Sequence, residues 1–192
     1  DVGDVEDRLA IFDWIADLDV PLSLLVNNAG GNIKKPTLDI EPGDLEDVFR
    51  LNSVAAFDLC RLAYPLLAQH GHAAIVNIGS VSGATHVRTG APYGMSKAAL
   101  HQLTRVLAKE LGPQHITVNA VAPGPFPSKM MAATLDAFGE AIAASAPLRR
   151  IGRDDDMAGI AVFLAGRAGS YVNGAVIPVD GGIATTASGS GR

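Results

Sequence analysis

The sequence is poor in cysteine, in aromatic residues and in clustered basic residues. Cys60 is the one cysteine among 192 residues, so no disulfide can close within the chain, which favours a reducing compartment. Lys and Arg number 15 against 20 Asp and Glu, and no basic cluster has the size that binds nucleic acid. No apolar run reaches the roughly 18 residues of a membrane span, and no leader pattern marks secretion. We therefore expect a cytoplasmic globular protein that binds neither nucleic acid nor a membrane.

Short apolar runs alternate with helical patterns along the chain. Runs that are apolar on both faces and separated by helices predict an α/β fold, a doubly wound parallel sheet in which each crossover is right-handed. Residues 1–183 are expected to form part of one domain, and residues 184–192 a disordered tail. The predicted order is helix 4–18, strand 22–26, helix 42–69, strand 73–78, helix 92–111, strand 116–121, helices 129–145 and 154–166, and strand 175–179.

Three polar or glycine-rich loops each follow a predicted strand. They cover residues 27–31, 79–82 and 122–128. Ligands of parallel sheets bind at the carboxyl ends of the strands, so these loops should converge on one crevice. The five histidines show no metal-ligand spacing with cysteine or carboxylates, and we expect no metal there. Lys34 and Lys35 are expected to lie in a solvated loop.

Tyr93 and Lys97 stand four residues apart in a predicted helix and so share a face. An ammonium near a phenol favours the phenolate and lowers the pKa of the phenol from about 10 toward neutrality. Such a tyrosine could exchange a proton with an alcohol or carbonyl oxygen. Ser80 ends the preceding strand and could donate to the same oxygen. The ordinary alternatives are a solvated Tyr–Lys pair and a serine that caps a turn.

Small and amide residues mark the remaining positions of interest. The run Asn-Asn-Ala-Gly at 27–30 permits close approach of a ribose or a flat ring, and it is also typical of a plain turn. Asn52 lies inside a long helical pattern, where an amide is a mediocre helix former. It predicts either a local helix perturbation whose freed carbonyl holds a water, or a solvent-facing side chain. Pro123-Gly124 after a strand predicts a rigid wall of the crevice.

Together these motifs resemble the short-chain dehydrogenase/reductase family of single-domain enzymes. The resemblance runs from residue 1 to about residue 182. It implies a Rossmann-like fold and an NAD(P)-dependent oxidoreductase that interconverts a ketone and a secondary alcohol, with NADP(H) favoured and NAD(H) possible. It also implies a small-molecule substrate and a homodimer or homotetramer formed through the helices at 44–69 and 92–111. The motifs in family order are Asn27-Asn28-Ala29-Gly30, Asn52, Ser80, Tyr93-x-x-x-Lys97 and Pro123-Gly124.

The resemblance implies a role for each of these residues. Tyr93 would be the general acid/base, and Ser80 would position the substrate carbonyl. Lys97 would bind the nicotinamide ribose and lower the pKa of Tyr93, while Asn52 would hold a water that links Lys97 to solvent. The implied cofactor-binding residues are Asp1, Val2, Asn28, Ala29, Gly30, Tyr93, Lys97, Pro123, Gly124, Phe126 and Ser128.

The sequence departs from the family at its start. The family opens with a strand, a phosphate-binding turn of the form Thr-Gly-x-x-x-Gly-x-Gly, a helix and two more strands, whereas here Asp1-Val2 resembles the end of the third strand. We therefore expect a fragment that holds the C-terminal two-thirds to three-quarters of the domain. It would lack the pyrophosphate cradle and would leave a sheet edge uncovered. The position that selects NAD or NADP would also be missing.

The substrate is indicated by the same resemblance. The segments at 78–83, 99–105 and 123–130 are similar to 3-oxoacyl reductases, including the rhamnolipid-associated type, so reduction of a 3-oxoacyl thioester is the leading prediction. Residues 68–72 and Gln114 lack the arginine that meets an acidic carrier protein, so CoA thioesters, polyols and sugars stay open.

Two functions of other classes are alternatives to this enzyme. The first is an inactive fragment that serves as a binding or oligomerising module; the intact set of motifs opposes it, and the missing phosphate-binding turn favours it. The second is an esterase with a serine nucleophile. Gly79-Ser80 lacks the Gly-x-Ser-x-Gly elbow, so the esterase is set aside.

Overall fold

A parallel sheet organises the chain. The computed structural model describes residues 1–18, 20–86 and 90–186. Leu25 lies opposite Ile75, which in turn lies opposite Val118. Because all strands run the same way, their carboxyl ends share one edge of the sheet, as the sequence predicts. In the described residues the strands lie side by side in the order β1 (Leu24–Asn27), β2 (Ala73–Ile78), β3 (Ile116–Pro123) and β4 (Val176–Val179).

The helices begin and end where local chemistry allows. Asp4 precedes the first helix, and its carboxylate accepts a hydrogen bond from the backbone N–H of Glu6 at 2.8 Å. Pro42 opens the second helix, and Gly71 ends the third with a left-handed φ of 80°. None of the helices in the described ranges combines the length and the apolar character needed to cross a membrane. The α-helices of the described residues are α1 (Val5–Asp17), α2 (Pro42–Phe49), α3 (Ala55–His70), α4 (Ala91–Leu111), α5 (Ala132–Ser145) and α6 (Asp154–Ala165).

Successive residues of the central strands face two different helix layers. Ile75 and Val118 pack with α3 and α4 on one face of the sheet. Val76 and Val121 pack with Leu164 of α6 on the other face. This alternation follows from the two-residue period of a strand. Helices therefore cover both faces, which confirms the doubly wound α/β arrangement.

The last crossover differs from the prediction. The strands advance across the sheet in sequence order, and the helices between β1 and β3 pack on the Ile75 face. The helix that precedes β4 packs on the opposite face, so this crossover has the opposite hand. The expectation that every crossover is right-handed is therefore wrong. The connection from β3 to β4 is long and contains α5 as well as α6, which relaxes the geometric constraint on a short βαβ unit.

Several predicted element boundaries change in the structure, among them those of the helix at 42–69 and of the tail. The helical pattern at 42–69 is interrupted by a π-helical turn, Arg50–Val54, between α2 and α3. Within the predicted tail, the backbone N–H of Ala184 donates to Asp180 Oδ2 at 2.6 Å, and Thr186 donates to the Gly182 carbonyl at 2.7 Å. Residues 187–192 of that tail lie outside the described residues.

The expectation that Asp1 and Val2 end a strand is wrong. Asp1 Oδ1 accepts a hydrogen bond from the backbone N–H of Gly3 at 2.7 Å, which closes a turn. The Val2 carbonyl accepts from Arg8 Nη1 at 2.6 Å. A strand needs a hydrogen-bonded neighbour, and β1 at the edge of the described sheet pairs with β2 alone. The short-range bonds of residues 1–3 therefore set their conformation.

Candidate active site

Helix α4 places the side chains of Tyr93 and Lys97 at the carboxyl end of β2. Lys97 is 3% exposed, and its Nζ lies 5.8 Å from the centroid of the Tyr93 ring. The same Nζ donates a hydrogen bond to the Ile78 carbonyl, the last of β2, at 2.8 Å. The two side chains thus share one face of α4, as predicted. The alternative in which they form a solvated pair is wrong because both are largely buried.

Ser80 stands at the end of β2 and faces the same space. Its Oγ accepts a hydrogen bond from the backbone N–H of Ser82 at 3.1 Å, so the serine does cap a turn. A hydroxyl that accepts one bond keeps its own hydrogen free to donate. Ser80 is 7% exposed, and its hydroxyl acts to lower the pKa of Tyr93. Turn capping and a donor role toward the crevice are therefore compatible.

Asn52 occupies the π-helical turn between α2 and α3. Its Oδ1 accepts from the backbone N–H of Gly31 at 2.8 Å, and its Nδ2 donates to the Gly31 carbonyl at 2.9 Å and to Ser96 Oγ at 3.0 Å. The predicted local helix perturbation is confirmed, and the solvent-facing alternative is wrong. Such π-helical turns occur often at functional sites. The amide joins the loop after β1 to α4 next to Lys97.

The loop after β1 approaches this cluster at a glycine. A Cβ on Gly30 would lie 3.1 Å from Asn52 Oδ1 and 3.3 Å from Lys97 Nζ. Behind the loop, Asn27 Nδ2 donates to Asn77 Oδ1 of the neighbouring strand at 2.8 Å. Asn27 therefore braces the adjacent strand. The small residues leave the crevice open directly beside the Lys97 ammonium.

The predicted wall after β3 packs against the C-terminal part of the chain. β3 ends at the proline of this motif, and a Cβ on the following Gly124 would lie 2.6 Å from Asp180 Cβ. The ring of Phe126 occupies the space that a Cβ on Gly152 would fill. Ser128 begins the turn into α5, where its Oγ accepts from a backbone N–H at 3.2 Å. These residues line the carboxyl end of β3, the strand next to β2.

Some expected residues have partners that the sequence does not indicate. Asp1 and Val2 make hydrogen bonds with residues 3–8, and their contact with the cofactor stays a prediction. The solvated-loop prediction for Lys34 and Lys35 is incomplete. Lys34 Nζ donates to the Met130 carbonyl at 3.0 Å, so it spans from the β1 loop to the segment before α5. Lys35 pairs with a carboxylate of α2 at 2.6 Å.

Burial dominates the electrostatics of the site. Desolvation raises the pKa of Tyr93, and the Ser80 hydroxyl opposes this only in part. Desolvation also lowers the pKa of Lys97 to about 8. The prediction that Lys97 brings the pKa of Tyr93 toward neutrality is therefore wrong for the chain as described. The ammonium bonds to the Ile78 carbonyl, and loss of solvent outweighs its charge.

The shifted lysine gives a testable pH dependence. Between pH of about 8 and 10.5 the unfolded chain binds more protons than the folded chain, so stability should rise with pH. Relative to Lys97→Met, the free energy of unfolding should increase by about 3 kcal/mol across that window. Chemical denaturation of both proteins at a series of pH values measures this difference. If the free energy of unfolding changed with pH to the same extent in both proteins, the lowered pKa of the buried Lys97 ammonium would be contradicted.

Two residues near the site are missing from the sequence-based interpretation. Ser96 holds Asn52, and its own Oγ donates to the Tyr93 carbonyl at 2.8 Å. His101 lies one turn beyond Lys97 and is 3% exposed. The spacing of Tyr93, Lys97 and His101 at i, i+4 and i+8 is the signal that could have identified the histidine as part of the same face.

The fold and the site together define a class of protein. A Rossmann-like parallel sheet carries a tyrosine, a buried lysine and a serine at its carboxyl edge, beside an asparagine in a π-helical turn. A family described as enoyl-(acyl carrier protein) reductase matches residues 1–184. The chain therefore belongs to the short-chain dehydrogenase/reductase family, whose members are NAD(P)-dependent oxidoreductases.

Curated relatives agree with this assignment. The rhamnolipids biosynthesis 3-oxoacyl-(acyl-carrier-protein) reductase of Pseudomonas aeruginosa is 44% identical over 176 residues, which cover 88% of this chain and 68% of the relative. A tropinone reductase homologue of Arabidopsis thaliana is 39% identical over 163 residues, 84% of this chain and 62% of the relative. The chain thus spans about two thirds of the length of the curated relatives it matches.

Solved structures show the same fold. The Pseudomonas aeruginosa RhlG/NADP active-site complex superposes with a TM-score of 0.89 at 40% identity, over 96% of this chain and 75% of that one. A gluconate 5-dehydrogenase from Burkholderia cenocepacia, in complex with NADP and tartrate, has a TM-score of 0.91 at 31% identity, over 97% of this chain and 74% of that one.

Proposed function

We propose that the protein is an NADP(H)-dependent reductase that converts a 3-oxoacyl thioester to the 3-hydroxyacyl thioester, with Tyr93 as general acid. The observation that carries the proposal is the convergence of Tyr93, Ser80 and Lys97 on the carboxyl end of β2. A phenol, a hydroxyl donor and a buried ammonium are the groups needed to protonate a carbonyl oxygen while holding it in place.

The donor set of the crevice fits a nicotinamide nucleotide. An ammonium has three hydrogens to donate, and among the described residues the Ile78 carbonyl is the acceptor that Lys97 Nζ meets. The hydroxyls of a ribose are suitable acceptors for the remaining hydrogens. Gly30 leaves the space beside Nζ free of a side chain. The nucleotide, when bound, supplies the hydride, whereas the chain supplies orientation and the proton.

The residues of the chain then position the substrate and transfer the proton. Ser80 donates its free hydroxyl hydrogen to the substrate oxygen and fixes its position. Burial keeps the Tyr93 phenol protonated, which is the form that delivers a proton in the direction of reduction. The Lys97 ammonium lies close enough to favour the phenolate that remains after this transfer. Asn52 holds Gly31 and Ser96 in place, and we propose that the freed backbone of its turn holds a water connected to Lys97.

The curated relatives favour a thioester as the substrate, and the solved structures favour a second candidate substrate. The relative from Pseudomonas aeruginosa carries 3-oxoacyl reduction in its name, and its solved complex contains NADP. The similarity to a gluconate 5-dehydrogenase favours a keto sugar or polyol as the alternative substrate. Exposed apolar side chains on the two long helices, Phe57 and Tyr64 of α3 and Met95 and Val106 of α4, support a proposed homodimer or homotetramer.

A substrate panel tests the proposal. The complete natural polypeptide that carries this chain is assayed with NADPH and with NADH against 3-oxoacyl-CoA, a 3-oxoacyl carrier protein, a 5-keto sugar acid and tropinone. We expect NADPH-dependent reduction of the thioesters with a kcat/KM at least about tenfold above the other ketones. A preference for the keto sugar acid would establish the alternative. Absence of nucleotide oxidation with every substrate would favour a non-enzymatic module.

A further inference from the structure

His101 is buried next to the site, and one of its ring nitrogens has no polar partner among the described residues. Its side chain is 3% exposed, and within the described residues no group hydrogen-bonds to its Nε2. A buried nitrogen without a partner is destabilising, by about 1–3 kcal/mol, relative to a paired one. A leucine at this position would avoid that cost. The ring therefore carries a cost in stability, which calls for a reason other than polar bonding.

The ring fills space that two glycines leave vacant. A Cβ on Gly79 would lie 2.3 Å from His101 Nε2, and a Cβ on Gly83 would lie 2.6 Å from Cε1. Both distances are far below van der Waals contact, so no other L-residue fits without movement of the ring or the backbone. These glycines flank Ser80 on either side. The imidazole thus supports the backbone of the Ser80 turn at its beginning and at its end.

Other restraints hold the same turn from different directions. The backbone N–H of Gly79 donates to the Val121 carbonyl of β3 at 2.7 Å. Lys97 holds the preceding carbonyl, that of Ile78, at 2.8 Å. The hydrogen bonds fix the turn relative to β3 and α4, and His101 limits how closely it can approach the helix. The thickness of the side chain at position 101 therefore sets the gap between the Ser80 turn and α4.

We propose that His101 is a positioning residue for the reaction: its planar ring, packed under Gly79 and Gly83, sets the distance at which the Ser80 hydroxyl faces Tyr93. The inference rests on the proposed function. It assigns His101 no contact with substrate or nucleotide. Burial, with the positive charges of Arg105 and Lys97, lowers the pKa of His101 to about 4, so the ring stays neutral between pH 6 and 8. The charge of the ring is therefore constant over that range.

A double-mutant cycle between positions 79 and 101 tests the contact itself. Gly79→Ala places a methyl group against the ring and should lower Tm clearly. In the His101→Ala background the methyl enters vacated space, where its nearest remaining neighbour is the Val121 carbonyl at 3.2 Å, so the same change should cost little. Gly43→Ala, whose Cβ would meet nothing within 4 Å, is the matched control and should give no coupling. Additive changes in Tm at positions 79 and 101 would overturn the proposal without any measurement of activity.

The kinetic arm separates positioning from packing. His101→Ala and Gly79→Ala should each lower kcat by about tenfold per folded enzyme, while the Kd for NADPH and the KM for the thioester change less than twofold. His101→Gln, whose planar amide reaches the far side of the space that the ring occupies, should recover most of the kcat that His101→Ala loses. The double variant Gly79→Ala/His101→Ala should recover most of the kcat that Gly79→Ala loses. A kcat within twofold of the wild type in both single variants would overturn the inference. Inactivity of the wild-type protein would instead overturn the proposed function.

Discussion

Tyr93→Phe should lower kcat by about 10²–10⁴-fold while leaving the affinity for NADPH nearly unchanged. The change removes the phenolic hydrogen and keeps the ring, so the packing of this mostly buried side chain is preserved. Without that hydrogen the carbonyl oxygen has no general acid beside it. The measurement is steady-state reduction of the thioester, with fluorescence titration of NADPH for the cofactor. Tyr171→Phe makes the same chemical change at a fully exposed position and serves as control.

The pair of variants gives a clear contradiction if the account is wrong. Tyr93→Phe with turnover close to that of the wild type would exclude Tyr93 as the acid. Loss of NADPH binding in the same variant would also contradict the assigned role, because the hydroxyl is assigned to proton transfer. Equal losses in Tyr171→Phe and Tyr93→Phe would indicate a general effect on folding, which thermal melting detects.

Asn52→Leu should lower the free energy of unfolding by about 3–5 kcal/mol. Asn52 is 1% exposed, and its amide makes all three of its hydrogen bonds inside the protein. Leucine leaves the backbone N–H and carbonyl of Gly31 and the hydroxyl of Ser96 without this partner. It also removes the tie between the β1 loop and α4, so the position of Lys97 should become less defined. Urea denaturation followed by circular dichroism measures the change.

Ser53→Ala provides the comparison on the same π-helical turn. Ser53 Oγ donates one hydrogen bond, to the Ser96 carbonyl at 2.9 Å, and the side chain is half-buried. Its loss should cost about 1 kcal/mol. If Asn52→Leu were as mild as Ser53→Ala, the amide would not be the group that joins the loop after β1 to α4.

Much of the architecture could be predicted because it depends on local patterns. Apolar runs such as 73–78 specify strands buried on both faces, and the spacing of Tyr93 and Lys97 specifies a shared helix face. Asn52 is a poor helix former in a long helical pattern, and the structure places a π-helical turn there. In each case the information lies within a few residues, so a single sequence contains it.

The parts that could not be predicted depend on contacts between distant segments. The direction of the pKa shift of Tyr93 follows from how much solvent the β2 turn and α4 exclude, which sequence spacing does not encode. The contact of His101 with Gly79 joins residues more than twenty positions apart. The hand of the last crossover depends on which face α6 covers, and the order of elements is the same for either face.

Hydride transfer to the β-carbon of a 3-oxoacyl thioester tests the central claim most directly. The complete natural polypeptide is incubated with 3-oxoacyl-CoA and NADPH in which both hydrogens at C4 of the nicotinamide ring are replaced by deuterium. Mass spectrometry should then find a 3-hydroxyacyl product that is heavier by about 1 Da, with the label at C3 and one nucleotide oxidised per product. A product without deuterium, or no product while the nucleotide stays bound, would contradict hydride transfer to a 3-oxoacyl thioester.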